Sequence, residues 1–446
     1  MPNLRSMQLS FRFILLLVLL TVITSQRPLA QSLEPALRAA REHRWTDVLK
    51  IVGPITKSKK APSQAWLLKG MALDQLGRHA EATEIGRRLV QTNPSSLQYY
   101  LFLSENLQRS HKLDSSIIVL KEAETRFHDS VQVQYALGFA YAAAGAWDLA
   151  ISPLEETMMR KPDNINVMML LADSYARIQE HAPAADLYGR IADMQPTNVA
   201  ARRALGVSLM QMDQSDSAIV ILSGVMKDDP HNRTIAPTYA AALNAAKRYP
   251  EAIVVLRQFV QQYPSEPDAW YNLGIAQQNA GEADSSVRSF KKAIVLRPSF
   301  AEAYFNMALA YDSRGFSEDA MQAFQRAALL KKELAPASYN SIAIIYRSQS
   351  KIDEALAAHM QAMALAPDDA RAVVALGYTY YISGMFAEGI KFLEESRKKF
   401  PSELDILTPL GQCYVRTGRF DEARAIIATL TPTKPSAAAS IQEIMK

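Results

Sequence analysis

The 446-residue sequence contains a single cysteine, Cys413. One cysteine excludes an intrachain disulfide and any metal site built from several cysteines. Neither sign of charge is in large excess, because the sequence contains 49 Lys and Arg and 45 Asp and Glu, for a formal net charge of +4. Residues 1–30 contain three arginines and no acidic residue, so the remainder is almost neutral. Such a balance gives no electrostatic footprint for nucleic acid, and we expect no nucleic-acid partner.

The sequence also lacks the short motifs that mark common enzyme classes. It contains no P-loop, no glycine-rich nucleotide fingerprint after a strand, no H-E-x-x-H and no C-x-x-C. The histidines are His43, His79, His111, His128, His181, His231 and His359. Four of them fall in turns of the repeat described below, where they do not converge as metal ligands must. We expect no catalytic residue, no metal, no cofactor and no small-molecule substrate.

The only long apolar run lies near the N-terminus. Arg5 and Arg12 precede an apolar stretch over residues 13–23, and Ala30 offers a small residue for cleavage. This arrangement is typical of a secretory signal peptide, whereas the run is short for a membrane span of about 20 residues. We predict a signal peptide over residues 1–30 and a periplasmic or secreted protein. An uncleaved N-terminal anchor, which would be the one contact with a membrane, and a misjudged cytoplasmic start are the alternatives.

What the sequence does contain is a repeat of 34 residues, for which residues 267–298 serve as the type. Trp270, Leu273 and Gly274 share one face of a first amphipathic helix. Gly281 interrupts the apolar pattern, and a second apolar stripe then includes Phe290. Two helices and a turn therefore form each repeat, and such internal repetition determines the fold.

Counting residue 267 as position 1, the repeats begin at residues 29, 63, 97, 131, 165, 199, 233, 267, 301, 336, 370 and 404. Positions 8 and 20 are always Gly, Ala or Ser in the eleven repeats after the first. Small residues let the two helices of a hairpin approach closely, and a larger side chain there would cost about 1–3 kcal/mol. Position 32 is proline in nine of these eleven repeats. Position 11 is often a tyrosine that fills the gap between hairpins, namely Tyr141, Tyr175, Tyr311, Tyr346, Tyr380 and Tyr414.

This pattern resembles the tetratricopeptide repeat (TPR) family over residues 29–435. The resemblance implies an all-α, right-handed α-solenoid of about 11–12 stacked helix-turn-helix hairpins over residues 31–435. We expect a C-terminal capping helix over residues 436–446. Pro237 and Pro409 fall at positions 5 and 6 of first helices. They are tolerated if the helix starts late, but in mid-helix each would cost about 3 kcal/mol, so we predict weak points there.

In the TPR family, positions 2, 5, 6, 9, 12 and 13 of the first helix line the concave face that binds partners. Carried over by position, the candidate partner-binding residues are Tyr135, Phe139, Met169, Arg177, Arg203, Tyr271, Asn272, Phe305, Asn306, Asn340, Arg347, Tyr378, Tyr381 and Arg416. Aromatic rings interleaved with Arg and Asn suit an extended peptide, because rings offer contact area and Asn can bond the peptide backbone. The alternative is that several of these side chains only pack between neighbouring first helices.

The resemblance implies a non-catalytic scaffold, and the N-terminal segment places it in the cell envelope. We expect it to bind extended segments of protein partners in its concave groove. The alternatives are a component of an assembly or secretion complex, and a substrate-selecting accessory of a separately encoded glycosyltransferase or exopolysaccharide machine. The absence of a catalytic cluster argues against an enzyme.

Overall fold

The computed structural model describes residues 27–58, 60–229 and 232–446. Within them the chain forms 25 α-helices and two short 3-10 helices, without a strand. None of these helices combines the length and the apolar character that a membrane span requires. The predicted signal peptide lies outside the described residues except at its last positions. The predicted all-α solenoid of TPR hairpins is confirmed.

The chain divides into two compact halves, residues 1–228 and 229–446. The N-terminal half holds α1 (Arg27–Arg41), α2 (Trp45–Ile55), α3 (Ser63–Gln75), α4 (His79–Thr92), α5 (Leu97–Arg109), α6 (Leu113–Arg126), α7 (Val131–Ala143), α8 (Trp147–Arg160), α9 (Ile165–Arg177), α10 (His181–Met194), α11 (Val199–Gln211) and α12 (Ser215–Asp228). The C-terminal half holds α13 (Ile235–Ala245), α14 (Tyr249–Gln262), α15 (Pro267–Asn279), α16 (Ala283–Leu296), α17 (Ala301–Ser313), α18 (Ser317–Leu330), α19 (Ala335–Ser348), α20 (Ile352–Leu365), α21 (Ala370–Ile382), α22 (Phe386–Lys399), α23 (Leu407–Arg416), α24 (Phe420–Leu430) and α25 (Pro435–Met445). Odd-numbered helices up to α23 are first helices of repeats, and the even-numbered helices are their second helices.

Within a hairpin, the small residue at position 8 meets the large residue at position 24. A Cβ atom added to Gly274 would lie 2.5 Å from Phe290 Cε1, and one added to Gly138 would lie 2.5 Å from Leu154 Cγ. Such distances leave no room for even a methyl group, so the two helices pack backbone against side chain. The physical reason inferred from the sequence for small residues at position 8 holds in both halves.

The turn inside each hairpin has the same backbone conformation in all twelve described repeats. Position 15 always has a positive φ, between 55° and 79°. Six repeats place glycine there, which adopts this conformation without steric cost. The other six place His43, His111, Gln179, Asp213, Lys247 and Ser350 there. The turn geometry is therefore fixed by the hairpin rather than by the residue that occupies it.

Both prolines predicted to weaken a first helix lie in its first turn. Pro237 is the third residue of α13, which begins at Ile235. Pro409 is the third residue of α23, and a 3-10 helix over Leu404–Ile406 precedes it. The first N–H groups of a helix have no acceptor within that helix, so a proline there removes no hydrogen bond. The late start removes the physical basis for a weak point in these two repeats.

A helix covers the apolar surface at each described end. In α1, Leu33, Ala36 and Leu37 are buried against α2 and α3. At the other end, α25 packs on α23 and α24 and buries Ile441 completely. A Cβ atom added to Gly411 would lie 2.6 Å from Ile441 Cδ1. The last helix therefore closes the C-terminal half, as solenoid ends require.

Candidate partner-binding surface

The surface formed by positions 2, 5, 6, 9, 12 and 13 of the first helices is called here the first-helix face, taken separately in each half. Helix α15 shows why these positions stay outside the core. Ala269, Leu273 and Ala276, at positions 3, 7 and 10, are buried, whereas Tyr271 and Asn272 are only half-buried. The helical period thus directs one stripe toward the second helices and leaves the other stripe available.

In the N-terminal half, three of the candidate residues belong to the packing. Tyr135 and Phe139 are half-buried and pack against the core cluster of α5–α11. Burial raises the pKa of the Tyr135 hydroxyl. Met169 is only 7% exposed and is itself a member of that core cluster. Position 5 therefore serves inter-repeat packing in α7 and α9.

The polar candidates of this half gather around one carboxylate. The Tyr188 hydroxyl donates a hydrogen bond of 2.5 Å to Asp173 Oδ1. Burial raises the pKa of Tyr188, and the negative charge of Asp173 raises it further. Arg177 and Arg203 both act electrostatically on Asp173, and the Arg177 guanidinium lies 5.5 Å from the centre of the Trp147 ring. Two cations thus face one carboxylate on α9 and α11.

A second charged cluster on this face was missed by the sequence analysis. Arg109 Nη1 donates to both carboxylate oxygens of Asp74, at 2.6 and 2.7 Å, and Nη2 donates to Glu105. His79 Nδ1 lies 3.0 Å from Asp74 Oδ1. The Arg109 and Asp74 side chains are only 7% and 8% exposed. Their positions, 13 in one repeat and 12 in the preceding repeat, were the signal available in the sequence. The network bridges α3 and α5 and pairs the Asp74 and Glu105 carboxylates with Arg109, whereas the buried Arg109 Nε has no hydrogen-bond partner among the described residues.

In the C-terminal half, Tyr271 joins its repeat to the next. Its ring centre lies 5.8 Å from that of Phe290 and 4.8 Å from that of Phe300. Its hydroxyl oxygen accepts a 2.9 Å hydrogen bond from Asn306 Nδ2, which also donates to a backbone carbonyl. Burial raises the pKa of Tyr271. By contrast, the half-buried Asn272 makes no side-chain hydrogen bond with a described residue.

The next repeats follow the same division between packing and free groups. Phe305 packs edge-on against Phe324, with ring centres 5.3 Å apart. Asn340 Oδ1 lies 3.0 Å from Nδ1 of the fully buried His359, so this contact already uses the amide oxygen of Asn340. Arg347 is half-buried and forms no ion pair with any residue that the structure describes.

Two tyrosines and an arginine complete this face. The half-buried Tyr378 is hydrogen-bonded to Thr408, and burial raises its pKa. The Tyr381 ring centre lies 6.0 Å from that of Phe386 in the same hairpin. Arg416 is exposed at the end of α23 and has no ion-pair partner in the described part of the chain. Among the candidate residues of the C-terminal half, the polar side chains without a partner in the described chain are therefore Asn272, Arg347 and Arg416.

The remaining reactive side chains form no site. Cys413 is fully buried in the core of the last repeats, and burial raises the pKa of its thiol to about 12. No group of three His, Cys, Asp or Glu able to hold a metal occurs within the described residues.

Models of the tetratricopeptide repeat match residues 34–96, 233–276, 271–339, 337–366 and 380–444. Together these matches cover more than half of the sequence. The chain belongs to the tetratricopeptide repeat family. TPR proteins generally bind protein partners and are usually non-catalytic, so this TPR chain is a protein–protein interaction scaffold.

No curated protein matches this TPR chain. Among solved structures, it is similar to a TPR protein from Parabacteroides merdae, at 14% identity over 56% of this chain and 98% of that one, with a TM-score of 0.43. It is similar to MamA from Desulfovibrio magneticus RS-1, at 18% identity over 38% and 95%, with a TM-score of 0.35. The APC/C hetero-tetramer Cut9–Hcn1 matches at 13% identity over 96% and 98%, with a TM-score of 0.37. Similarities this distant say nothing about what this TPR protein binds.

Proposed function

We propose that the protein is an exported scaffold of the cell envelope that binds extended peptide segments on the first-helix face of its C-terminal half. It makes and breaks no covalent bond. The observation that carries this proposal is the set of unpaired hydrogen-bond donors on that face, Asn272, Arg347 and Arg416, set among half-buried aromatic rings.

Most carboxylates of the same face are already paired, and this supports the choice; only Asp312, at position 12, has no ion-pair partner among the described residues. At position 2, Asp268 is paired with Arg297 at 2.5 Å, and Glu302 is paired with Lys331 at 2.5 Å. The face therefore presents positive charge and amide hydrogens in excess. Carbonyl oxygens and carboxylates of an extended peptide match such donors, and arginine binds them in a planar, two-pronged geometry.

The N-terminal sequence supports export. Arg5 and Arg12 precede the apolar residues 13–23, a pattern typical of secretory signals. Expression of the full chain in a Gram-negative host, followed by fractionation and mass spectrometry of the N-terminus, tests this part. A periplasmic protein lacking its first 30 or so residues supports export by a cleaved signal. An intact chain in the cytoplasmic fraction refutes it.

Affinity capture from an envelope extract tests the binding face. The full-length protein is compared with Asn272→Ala/Arg347→Ala/Arg416→Ala, which removes the three free groups and leaves the aromatic packing intact. The matched control, Gln322→Ala/Arg326→Ala/Lys398→Ala, removes one amide and two cations from exposed positions on α18 and α22.

A partner retained by the parent and the control but lost from the first variant supports the proposal. Loss of an interfacial residue of this kind commonly costs about 1–2 kcal/mol, so the triple variant should weaken binding by at least about tenfold. A partner captured equally by all three proteins contradicts the assignment to this face.

A further inference from the structure

Tyrosine at position 11 makes the same kind of contact in four of the six repeats that carry it. At four junctions between repeats, the tyrosine side chain contacts the residue at repeat position 25, in the second helix of the preceding repeat. The pairs are Tyr141 with Lys121, Tyr175 with Glu155, Tyr311 with Lys291 and Tyr414 with Glu394. The ring thereby fills the space between two consecutive second helices.

The repeat that begins at residue 267 carries neither this tyrosine nor the leucine that occupies position 11 in the repeats starting at residues 63, 97, 199 and 233. Its position 11 is Gln277, and position 25 of the preceding repeat is Arg257. A cleft of about 620 Å³ lies at this junction between α14, α15 and α16. Its volume falls within the range of about 300–1,000 Å³ that is usual for ligand sites. The shorter glutamine leaves open the space that tyrosine fills elsewhere.

The lining of this cleft is basic. Arg257 comes from α14, and Arg288, Lys291 and Lys292 come from α16. Lys292 forms no ion pair with a described residue, and Arg288 donates only to the Ser285 hydroxyl, at 3.0 Å. The lining residues include no Asp or Glu.

One acidic side chain stands at the edge of the cleft. Glu282 Oε2 lies 3.3 Å from Arg257 Nη2, and both side chains are about half exposed. An exposed pair of this kind contributes about 0–1 kcal/mol, so an incoming carboxylate can compete for Arg257.

The floor of the cleft adds a polar group and an apolar platform. Gln277 is only 4% exposed, and its Oε1 accepts a 2.7 Å hydrogen bond from Ser289. Its Nε2 makes no hydrogen bond with a described residue. The indole of Trp270 is fixed by a 2.8 Å hydrogen bond from Nε1 to the Pro264 carbonyl, and Leu273 lies beside it. A buried amide donor, four cations and an apolar wall thus meet in one cleft.

We propose that this cleft binds an acidic peptide segment of a protein partner, with carboxylates on the four cations and an apolar side chain against Trp270. The charges require an anionic ligand, and the indole favours one that carries an apolar group. Nucleic acid requires an extended basic stripe, whereas these cations come from two helices around one cleft in a chain of nearly balanced charge. The site lies away from the first-helix face and is independent of the proposed function.

The test uses the full-length protein and a fluorescein-labelled, end-blocked peptide of sequence EEFEE, with QQFQQ as its uncharged control. Binding is followed by fluorescence anisotropy. We expect EEFEE to bind at low ionic strength, QQFQQ to bind at least about tenfold more weakly, and added salt to weaken EEFEE by screening. Glu282→Gln should strengthen the binding of EEFEE, because it frees Arg257.

Two variants distinguish the contribution of the open cleft from the contribution of its positive charges. Gln277→Tyr introduces the residue that fills the four junctions named above and leaves every cation in place. Arg288→Ala/Lys292→Ala keeps the cleft and removes two charges. Each should weaken EEFEE by at least about tenfold, or about 1.4 kcal/mol. Circular dichroism and thermal melting confirm that both variants remain folded.

Three outcomes overturn the proposal. The first is equal affinity for EEFEE in the parent and in Gln277→Tyr, since binding would then not use the cleft. The second is displacement of EEFEE by millimolar inorganic phosphate, which would identify a phosphate site. The third is tighter binding of an oligodeoxythymidylate than of EEFEE, which would identify a nucleic-acid surface.

Discussion

His359 makes the C-terminal half sensitive to pH. It occupies position 24, where nine of the other ten repeats from the second to the twelfth place a large and mostly apolar residue, the exception being Gly86. His359 is fully buried, its Nδ1 lies 3.0 Å from Asn340 Oδ1, and its Nε2 has no partner among the described residues. An imidazole enclosed in this way must remain neutral, because a proton on Nε2 would be a buried charge without a partner.

The magnitude follows from the shift of its pKa. Burial, with a smaller effect of the positive charge of Arg347, lowers the pKa of His359 to about 4. In the unfolded chain the pKa is the usual value of about 6.5. As the pH falls, the unfolded state takes up the proton first, so the free energy of unfolding decreases. The loss begins below about pH 7, reaches about 2 kcal/mol at pH 5, and levels off near 3 kcal/mol below about pH 4.

The substitution His359→Leu removes the titrating group and places there the residue that other repeats use. Repeat proteins open locally, so hydrogen exchange of peptides from α19 and α20 is the appropriate measurement, corrected for the intrinsic effect of pH on exchange. At pH 7.5 we expect the variant to gain up to about 1–3 kcal/mol, because the unpartnered Nε2 is gone. At pH 5 its advantage should grow by about 2 kcal/mol.

The matched control is Leu393→His, which places histidine at position 24 of the next repeat without a designed partner. It should introduce a loss of protection in α21 and α22 that deepens as the pH falls. If the difference between His359→Leu and the parent is the same at both pH values, the imidazole does not titrate as argued. The reasoning about position 24 would then be refuted.

Three other predictions concern packing. Gly274→Ala should destabilise its hairpin by about 1–3 kcal/mol. Gly53→Ala, whose added Cβ would meet nothing within 4 Å, should instead stabilise its helix by about 0.5–1 kcal/mol. Equal effects of the two substitutions on hydrogen exchange would contradict the close approach at Gly274. Arg109→Met leaves Asp74 buried without its main partner and should cost about 3–5 kcal/mol in local unfolding free energy, and near-neutral behaviour would show that the network is solvated. Cys413, buried and with its pKa raised to about 12, should react with a thiol reagent only after addition of denaturant; rapid reaction in the native protein would show that the last repeats open readily.

The fold was accessible from the sequence because nearly every repeat obeys a strict steric rule. In ten of the eleven repeats after the first, a small residue at position 8 is combined with a larger one at position 24, and the contact between Gly274 and Phe290 shows how little space remains. Eight first helices begin on the residue where the 34-residue register starts a repeat, from Ser63 to Ala370. The 34-residue period alone does not predict the late starts of α13 and α23, because these depend on how a proline is accommodated in the first turn of each helix.

The binding face was less accessible, because position rules place a side chain on a face without saying what it contacts. Asn272 and Asn340 both lie on the first-helix face, yet within the described chain only Asn340 has a hydrogen-bonding partner, which is a histidine from the second helix of its own hairpin. Arg109 and Asp74 satisfy each other from neighbouring repeats. Such pairings depend on which residues face each other across repeats, so a single repeat does not reveal them.

Departures from the repeat carry the most information about function in this chain. A position at which tyrosine fills a gap in several repeats can hold a smaller residue only if the gap stays open or something else fills it, and Gln277 shows the first case in the cleft beside α15. A position that is buried and mostly apolar can hold an unpaired titratable residue only in its neutral form, as it does with His359. Both departures were visible in the sequence as exceptions at positions 11 and 24. Their consequences, an open basic cleft and a buried imidazole, follow only from what the neighbouring helices place around them.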